Sequence, residues 1–296
     1  SNEINMSLVK SFSEKIKKNQ KKKLQRKNSI ISIKKGIDEL YDLVYEVTNT
    51  ISKNQHRNPL NSFGKKCFSQ SDEDGITIEI LKRLKNLNSG VFLELGVGDG
   101  TENNTLILLS LGWNGVWVGG SDLAFETSSS KKLKFYKNWI TLDNILPIIN
   151  KGLNHLKVKE LDLISVDLDG NDFYIVEKIL DSGFFPKVFI LEYNAKFPPP
   201  IKFKINYNPE HRWRNDDYFG TSLESWNSLL KGYGYKLLCC NSQTGANCFF
   251  IQKQFSRLFK EVPNDINQIY SEPRYLLHKN FGHKKSIELI TQIINS

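Results

Sequence analysis

Cysteine is scarce in this sequence and lacks the spacing of redox or metal motifs. The 296 residues contain four cysteines, Cys67, Cys239, Cys240 and Cys248, and no Cys-x-x-Cys. Four are too few for a disulfide framework in a chain of this length, so we expect a reducing, cytoplasmic location. Long apolar runs are also missing, since none approaches the roughly 20 residues of a membrane-spanning helix. The residues after Ser1 do not form the apolar stretch of a signal peptide either. The sequence thus predicts a soluble protein, or one that touches a membrane only peripherally.

Positive charge dominates the composition but is confined to one segment. The formal net charge is +9, from 41 Lys and Arg against 32 Asp and Glu. Residues 10–35 hold eleven of the basic residues and one acid, Glu14, which leaves the rest of the chain at −1. A nucleic-acid-binding surface spread over the folded body is therefore not predicted. The basic segment is either a solvated surface or a contact with a polyanion, such as the inner face of a membrane.

Apolar residues follow the basic segment with the spacing of one helical face. Alternately four and three residues apart, they are Ile33, Ile37, Leu40, Val44, Val47 and Ile51. Such a face requires a covering surface, either the folded domain or a second copy of the chain in a homodimer. We divide the chain into a basic N-terminal helical extension (1–58), a central domain (59–254) and a C-terminal helical tail (255–296). Within the tail, helices are predicted at 256–261 and 286–295.

Strand-like and helix-like segments alternate through the central domain. The predicted strands are 91–95, 115–118, 139–142, 161–167 and 187–193. The predicted helices are 76–84, 101–111, 123–135, 145–156 and 173–180. This alternation implies a parallel sheet covered on both faces. After an irregular stretch (196–219) come a helix at 223–230 and two strands, 235–240 and 247–252, whose short connection makes them antiparallel. The predicted fold is α/β, with the Rossmann-like, mostly parallel seven-stranded sheet and C-terminal antiparallel hairpin of class I methyltransferases.

Three alternating glycines follow the first predicted strand, at Gly96, Gly98 and Gly100. The dinucleotide fingerprint is Gly-x-Gly-x-x-Gly, and here the third glycine comes one residue early. Asp99 also places a negative charge where a pyrophosphate would lie, which favours a cationic ligand. S-adenosylmethionine fits, because its amino group and sulfonium are positive and its adenosine is neutral. We expect Glu94 and Asp99 to flank its amino acid part. A tight strand-to-helix turn without a ligand is the alternative.

Six segments in chain order resemble the FkbM-like methyltransferases. They are 68–75 (Phe-Ser-Gln-Ser-Asp-Glu-Asp-Gly), the glycine loop, 112–118, 162–172, 191–194 and 245–250. The resemblance implies a Rossmann-like sheet, S-adenosylmethionine as methyl donor, and O-methylation, often of sugars in surface glycans or natural products. It places Gln70, in the first segment, at the cofactor together with the loop glycines. The acceptor it implies is a sugar, a nucleotide sugar or a lipid-linked glycan.

The chain departs from this family after the second predicted strand. Related proteins carry an acid there that accepts hydrogen bonds from both ribose hydroxyls, whereas this strand ends Gly119-Gly120-Ser121-Asp122. Either Asp122 reaches back over the two glycines, or Ser121 and backbone groups hold the ribose. Asp143 and Asn144 follow the third predicted strand. They are placed to meet the adenine edge, although capping of the next helix explains them equally well.

Acidic and amide side chains follow the fourth and fifth predicted strands. Asp167, Asp169 and Asp172 come after the fourth strand, and Glu192 and Asn194 end the fifth. Methyl transfer to a hydroxyl removes its proton, for which a carboxylate with a pKa near 4 is a weak base. We therefore predict that Asp167 and Asp169 are catalytic and that Asp167, Glu192 and Asn194 bind Mg²⁺. A turn that caps the next helix, and a base that works without metal, are the alternatives.

His211 is the other candidate base, because the pKa of histidine lies near neutrality. It lies in the irregular stretch beside Arg212 and Arg214, which could hold a phosphate of a nucleotide sugar or an acidic group of a glycan. Two rival functions remain open. A nucleic-acid methyltransferase is disfavoured, because its Asp/Asn-Pro-Pro-aromatic motif is missing after the fourth strand. A non-catalytic protein that binds a glycan or nucleotide sugar through the same fold is the second.

Overall fold

The structure is a computed structural model that describes residues 2–275, with side chains from residue 14 onward. The predicted helix at 286–295 therefore lies outside the described residues. The chain forms two compact units, of which the first ends at Ile51 and the second begins at Ser52. Helix α1, Asn2–Gln55, is continuous through both the basic segment and the apolar stripe. Among the described residues, no helix is long and apolar enough to cross a membrane.

The second unit is built on a seven-stranded sheet in the order β3-β2-β1-β4-β5-β7-β6. In chain order the strands are Val91–Leu95, Asn114–Gly119, Leu133–Lys137, Leu163–Val166, Val188–Glu192, Tyr235–Cys240 and Asn247–Gln252. Strands β1 to β5 pair in parallel, and β7 runs antiparallel to both β5 and β6. The Rossmann-like sheet with a C-terminal antiparallel hairpin is thereby confirmed.

Helices connect these strands and pack on the sheet. They are α2 (Glu73–Arg83), α3 (Leu106–Ser110), α4 (Ile145–Leu156), α5 (Asp172–Asp181), α6 (Leu223–Gly232) and α7 (Ile266–Ile269). The central strands are buried almost throughout, which explains why β4 and β5 are apolar in the sequence apart from Ser165 and Glu192. Trp113, Trp117 and Trp226 are fully buried in the core. Each such side chain contributes about 1.5–3 kcal/mol or more to stability through the apolar surface it removes from water.

Three predicted elements next to the site differ from the structure in kind, position or length. Residues 123–132 form bends and turns instead of a helix, and β3 begins at Leu133, ahead of the predicted strand at 139–142. Residues 123–132, which are rich in serine, lack a continuous apolar face of helical period. The sequence Leu-Lys-Phe-Tyr-Lys of β3 instead suits an edge strand. Helix α3 is five residues long instead of eleven. It begins only at Leu106, because the backbone N–H groups of Asn104 and Thr105 donate hydrogen bonds to the Glu94 carboxylate.

The segments flanking the central domain pack with it. Residues 59–63 form a 3₁₀ turn in which Leu60 is fully buried. Beyond the hairpin, a 3₁₀ helix covers Lys253–Leu258, and Phe259 and Ile269 belong to the main core. The contact boundary at Ser52 thus precedes the predicted one at residue 58, and the described part of the predicted tail belongs to the second unit.

Candidate active site

A cavity of about 610 Å³ opens at the carboxyl ends of the parallel strands in the second unit. It lies where the strand order reverses between β1 and β4, the position at which open α/β sheets bind ligands. Its lining comprises Gly96, Gly98, residues 119–121, residues 137–140, Asp167, Leu168, Asp169, Asn171 and residues 211–213. The glycine loop, the polar residues after β4 and the irregular stretch therefore meet in one place.

The glycine loop has the backbone conformation that only glycine adopts readily. Gly96, Gly98 and Gly100 have φ angles of +90°, +54° and +83°. A Cβ on Gly96 would lie 1.6 Å from the carbonyl oxygen of Asp167, so glycine lets the ends of β1 and β4 touch. A Cβ on Gly98 would meet nothing within 4 Å, so this residue presents bare backbone to open space. Gly100 does not line the cavity and packs against Phe125.

Glu94 and Asp99, the two acids predicted to flank the ligand, point away from the cavity. Glu94 is buried and accepts hydrogen bonds from the backbone N–H groups of Asn104 (2.9 Å) and Thr105 (3.2 Å) and from the Thr105 hydroxyl. Asp99 is exposed and accepts hydrogen bonds from the hydroxyl and the backbone N–H of Thr101 at 2.6 and 3.0 Å. Neither side chain lines the cavity. Glu94 instead holds the segment that follows the glycine loop, and Asp99 holds the turn at Thr101.

Three carboxylates meet at the carboxyl edge, and we call Asp167, Asp169 and Glu192 the acidic trio. One oxygen of each lies within 4.8 Å of the other two. Burial, and then the charge of Asp169, raise the pKa of Asp167 well above its usual range. The pKa of Asp169 is raised to about 6 by burial and by Asp172, and burial with Asp167 raises that of Glu192 strongly. Oε2 of Glu192 is buried and accepts no hydrogen bond within the described residues.

Asp172 and Asn194 hold loops in place and do not belong to this trio. The carboxylate of Asp172 accepts hydrogen bonds from the N–H groups of Leu168 (2.8 Å) and Gly170 (2.9 Å), so the turn alternative accounts for this residue. The Asn194 amide donates to the carbonyl oxygens of residues 217 and 219, both at 3.0 Å, and accepts from the N–H of residue 196 at 3.2 Å. Of the predicted ligand set, Asp167 and Glu192 belong to the acidic trio, while the Asn194 oxygen accepts the hydrogen bond from residue 196.

His211 is brought to the cavity beside the acidic trio. Its Nε2 lies 3.2 Å from the carbonyl oxygen of Asp169, and its ring meets that of Tyr218 edge-on. A Cβ on Gly170 would lie 2.4 Å from the His211 ring, so glycine is required for this approach. A carbonyl oxygen only accepts hydrogen bonds, so His211 donates from Nε2, and in the neutral ring the lone pair then lies on Nδ1.

The opposite end of the cavity differs from the prediction in most of its residues. Ser121 lines it, but Asp122 is exposed and pairs with Lys137 at 2.7 Å instead of reaching back. Asp143 is exposed and Asn144 donates to the carbonyl oxygen of residue 139, so neither lines the cavity. Asn144 makes no side-chain cap at the start of α4. Gln70 is also exposed and outside the lining.

Trp139 is a cavity residue that the sequence did not assign to a role, and it lies beside Arg212, the predicted phosphate contact. The Arg212 guanidinium lies 4.6 Å from the centroid of a Trp139 ring, close enough for a cation–π contact. The Trp139 indole donates to the carbonyl oxygen of Pro209 at 2.7 Å and so ties the end of β3 to the irregular stretch. A tryptophan just after a strand at the carboxyl edge could have indicated a ligand contact. The predicted third strand included Trp139, so this position was not recognised.

Comparisons with known proteins give likeness in fold only. No protein family matches the chain, and no curated protein matches it in sequence. Among solved structures, the glycopeptide N-methyltransferase MtfA with S-adenosyl-L-homocysteine is 15% identical over 65% of this chain and 95% of its own, at a TM-score of 0.35.

Two further matches are similarly distant. CalO1, a methyltransferase in calicheamicin biosynthesis in its SAH-bound form, is 12% identical over 73% of this chain and 58% of its own, with a TM-score of 0.34. Human N-acetylserotonin methyltransferase in complex with SAM is 10% identical over 61% of this chain and 56% of its own, with a TM-score of 0.35. At these values the chemistry of the three proteins does not transfer to this chain, and the function has to be argued from the site.

The buried carboxyl groups lead to a prediction about pH. In the folded chain the pKa of Glu94 is raised from 4.5 to about 7 and that of Asp169 from 3.8 to about 6, chiefly by burial. The stability that such a group contributes is complete below its unfolded pKa and is lost as pH rises through its folded pKa. We therefore expect the melting temperature to fall from pH 5 to pH 8. His56, whose pKa burial lowers, acts in the opposite direction as a single group.

Thermal denaturation in a chelator, across this pH range, checks the expectation. Asp169→Asn removes one titrating carboxyl group, so its melting temperature should fall less steeply than that of the unaltered chain. Asp143→Asn, at an exposed position, should follow the unaltered chain. A melting temperature that rises between pH 5 and pH 8 would contradict the assignment of raised pKa values to the buried carboxyls.

Proposed function

We propose that this protein is an S-adenosylmethionine-dependent O-methyltransferase, of the FkbM-like type, that methylates a hydroxyl of a sugar or glycan precursor. The observation that carries the proposal is one cavity in which bare glycine backbone at β1 meets Asp167 and Asp169 of the half-buried acidic trio. A cationic methyl donor needs negative charge beside it, and an acceptor hydroxyl needs a group that takes its proton. The carboxyl groups at this edge of the sheet can serve both.

The residues present fit the methyl donor, with one difference from the expected set. Gly98 leaves a cradle that any Cβ would enter, and Asp167 and Asp169 place two carboxyl groups in the same cavity as the loop. Ser121 offers a hydroxyl to the ribose in place of the missing acid, and Trp139 and Ile140 offer apolar surface to the adenine. S-adenosylmethionine, when bound there, supplies the methyl group. The remaining chemistry is that of the chain's own side chains.

Removal of the acceptor proton is assigned to Asp167 and Asp169, with His211 as the neighbouring base. Burial raises the pKa of both carboxyls, and a carboxylate whose pKa is closer to neutrality is a stronger base for a hydroxyl. The Nδ1 atom of His211 is free to accept a proton, because Nε2 donates to the carbonyl of Asp169. A positioned base of this kind contributes typically ~10²–10⁴-fold to the rate.

The acidic trio also fits Mg²⁺. Three carboxylates within 4.8 Å repel one another, and Oε2 of Glu192 is buried without a hydrogen-bond partner among the described residues. Hard oxygen ligands of this kind are those that Mg²⁺ prefers. Asp167, Asp169 and Glu192 would hold the ion, which when bound would lower the pKa of a nearby acceptor hydroxyl. In that case the same carboxylates orient the acceptor and neutralise the ion.

The acceptor is inferred from the other wall of the cavity. Arg212 lines that wall beside His211 and is a suitable donor to a phosphate or carboxylate. A nucleotide sugar, an acidic sugar or a lipid-linked glycan phosphate carries such a group. The lysines of α1 from residue 15 to residue 35 are all exposed and suit the anionic headgroups of a membrane, where a lipid-linked acceptor would be found.

Titration calorimetry with S-adenosylmethionine tests the cofactor assignment. We expect binding by the unaltered chain and affinity about tenfold weaker for Trp139→Ala, which corresponds to about 1.4 kcal/mol. Asp122→Asn, an exposed residue at the same end of the cavity, should bind as the unaltered chain does. Absence of both heat and thermal shift at millimolar cofactor would contradict the enzyme proposal. It would favour the second candidate, a non-catalytic protein that binds a glycan or nucleotide sugar, which the missing ribose acid already supports.

A further inference from the structure

Helix α1 carries an apolar stripe with the period of a coiled coil. Seven positions alternate three and four residues apart without a break over 22 residues, and they are Ile30, Ile33, Ile37, Leu40, Val44, Val47 and Ile51. The mean repeat of 3.5 residues is shorter than the 3.6 of a straight helix, and it keeps a seam facing a partner helix when both supercoil. We call these seven positions the heptad stripe.

The heptad stripe has sharp limits. Continuing the same repeat towards the N-terminus places Arg26 and Lys23 at the next two seam positions, and continuing it towards the C-terminus places Asn54 there. Charged and amide side chains are costly in a buried seam. The acids of this segment, Asp38 and Glu39 among them, lie off the stripe, and Glu39 pairs with Lys35 on the outer face. The pattern therefore selects residues 30–51 as one seam.

The stripe is open to solvent within a single chain. Its seven side chains are 42–66% exposed, whereas the apolar residues of the second unit form a closed core. Together they offer on the order of 600 Å² per helix, so that two copies would bury about 1,200 Å², the lower end of stable protein interfaces. Burial of this apolar surface favours association and is opposed by the freedom that two chains lose on pairing.

A second α1 is the occupant that the structure favours. A heptad seam pairs with a helix of equal period and similar length, yet the helices described between residues 52 and 275 have at most twelve residues. The alternate positions Ile30, Ile37, Val44 and Ile51 are all β-branched, as a two-stranded seam favours at this position. The other set is Ile33, Leu40 and Val47, so leucine, which favours two strands there, stands only at its central position. We propose that two copies of this chain associate through a two-stranded coiled coil of residues 30–51.

Light scattering on the full chain after size exclusion tests the pairing. We expect twice the 34.1 kDa chain mass at tens of micromolar. Leu40→Asp should give the mass of one chain, with dissociation at least 100-fold more favourable, because a charge enters the seam. Ile31→Asp is the matched control, since Ile31 is 57% exposed and Leu40 60%, but Ile31 lies off the stripe. The control should remain a dimer, and both variants should keep the melting temperature of the second unit.

Cross-linking gives a second readout that does not depend on destabilising the helix. In a Cys67→Ser background, which removes the exposed cysteine, Leu40→Cys should form a disulfide-linked dimer under mild oxidation, and Ile31→Cys should not. Leu40 is next to the midpoint of the stripe, so it meets its counterpart whether the helices run parallel or antiparallel. A mass of one or of three unaltered chains, or equal cross-linking at residues 31 and 40, would overturn the proposal.

Discussion

We expect the replacement of Asp167 by asparagine to abolish methyl transfer while S-adenosylmethionine still binds. Asparagine keeps the size of the side chain but accepts no proton and carries no charge, so the acidic trio loses one carboxyl group. We expect kcat to fall by ~10²–10⁴-fold, the usual contribution of a positioned base. The melting temperature should stay the same or rise, because the exchange removes mutual repulsion among buried carboxylates. Initial rates with and without Mg²⁺, and calorimetry with the cofactor, give the two readouts separately.

Asp143→Asn is the matched control for this exchange. It removes a carboxylate of the same type from an exposed position outside the cavity, and its rate should equal that of the unaltered chain. If Mg²⁺ binds the trio, the rate of the unaltered chain rises with the ion and that of Asp167→Asn does not. Unchanged turnover in Asp167→Asn would move the catalytic centre away from the carboxyl edge of β4.

The sheet could be predicted from the sequence because its central strands are buried on both faces. Strands β4 and β5 are apolar apart from Ser165 and Glu192, and the hairpin of β6 and β7 is marked by the short connection between two mostly apolar segments. Strand β3 lies at the edge, where Lys134 and Lys137 interrupt the apolar pattern, and its position was therefore missed. The strands that are most deeply buried are therefore the ones whose positions the sequence predicted correctly.

The candidate site was predictable in part, since chain position tells which strand end a residue follows but not which group its side chain meets. Asp167, Asp169 and Glu192 come together because neighbouring parallel strands end at one edge. Asn194 follows the same strand as Glu192, but its amide donates hydrogen bonds to carbonyl groups more than twenty residues away in the chain. Likewise Trp139 reaches the cavity through a contact seventy residues distant in the chain. Such partners depend on the folded irregular stretch, which no local pattern specifies.

The glycine loop supports the second large prediction. Alanine in place of one loop glycine should prevent folding, and alanine in place of another should mainly weaken the binding of S-adenosylmethionine. Gly96→Ala places a Cβ 1.6 Å from the carbonyl oxygen of Asp167, at a φ of +90°. Backbone cannot move aside as a flexible side chain can, so the ends of β1 and β4 must separate. We expect the variant to unfold at a much lower temperature or to fail to accumulate as folded protein.

Gly98→Ala changes the same loop without this collision. Its φ of +54° costs about 1–2 kcal/mol for a residue with a side chain, but its Cβ meets nothing within 4 Å. The variant should therefore fold with a modestly lower melting temperature. The new methyl group enters the cavity, where we place the methyl donor, so its affinity for S-adenosylmethionine should fall at least tenfold.

Measuring both variants by thermal denaturation and calorimetry separates the role of the loop in folding from its role in binding. Gly183→Ala is a suitable control for the cost of positive φ alone, since Gly183 has a φ of +87°, no atom within 4 Å of its Cβ position, and no place in the cavity lining. It should lose stability as Gly98→Ala does and bind S-adenosylmethionine normally. Normal binding by Gly98→Ala as well would mean that the methyl donor does not lie against this loop, even if the strand contact at Gly96 is confirmed.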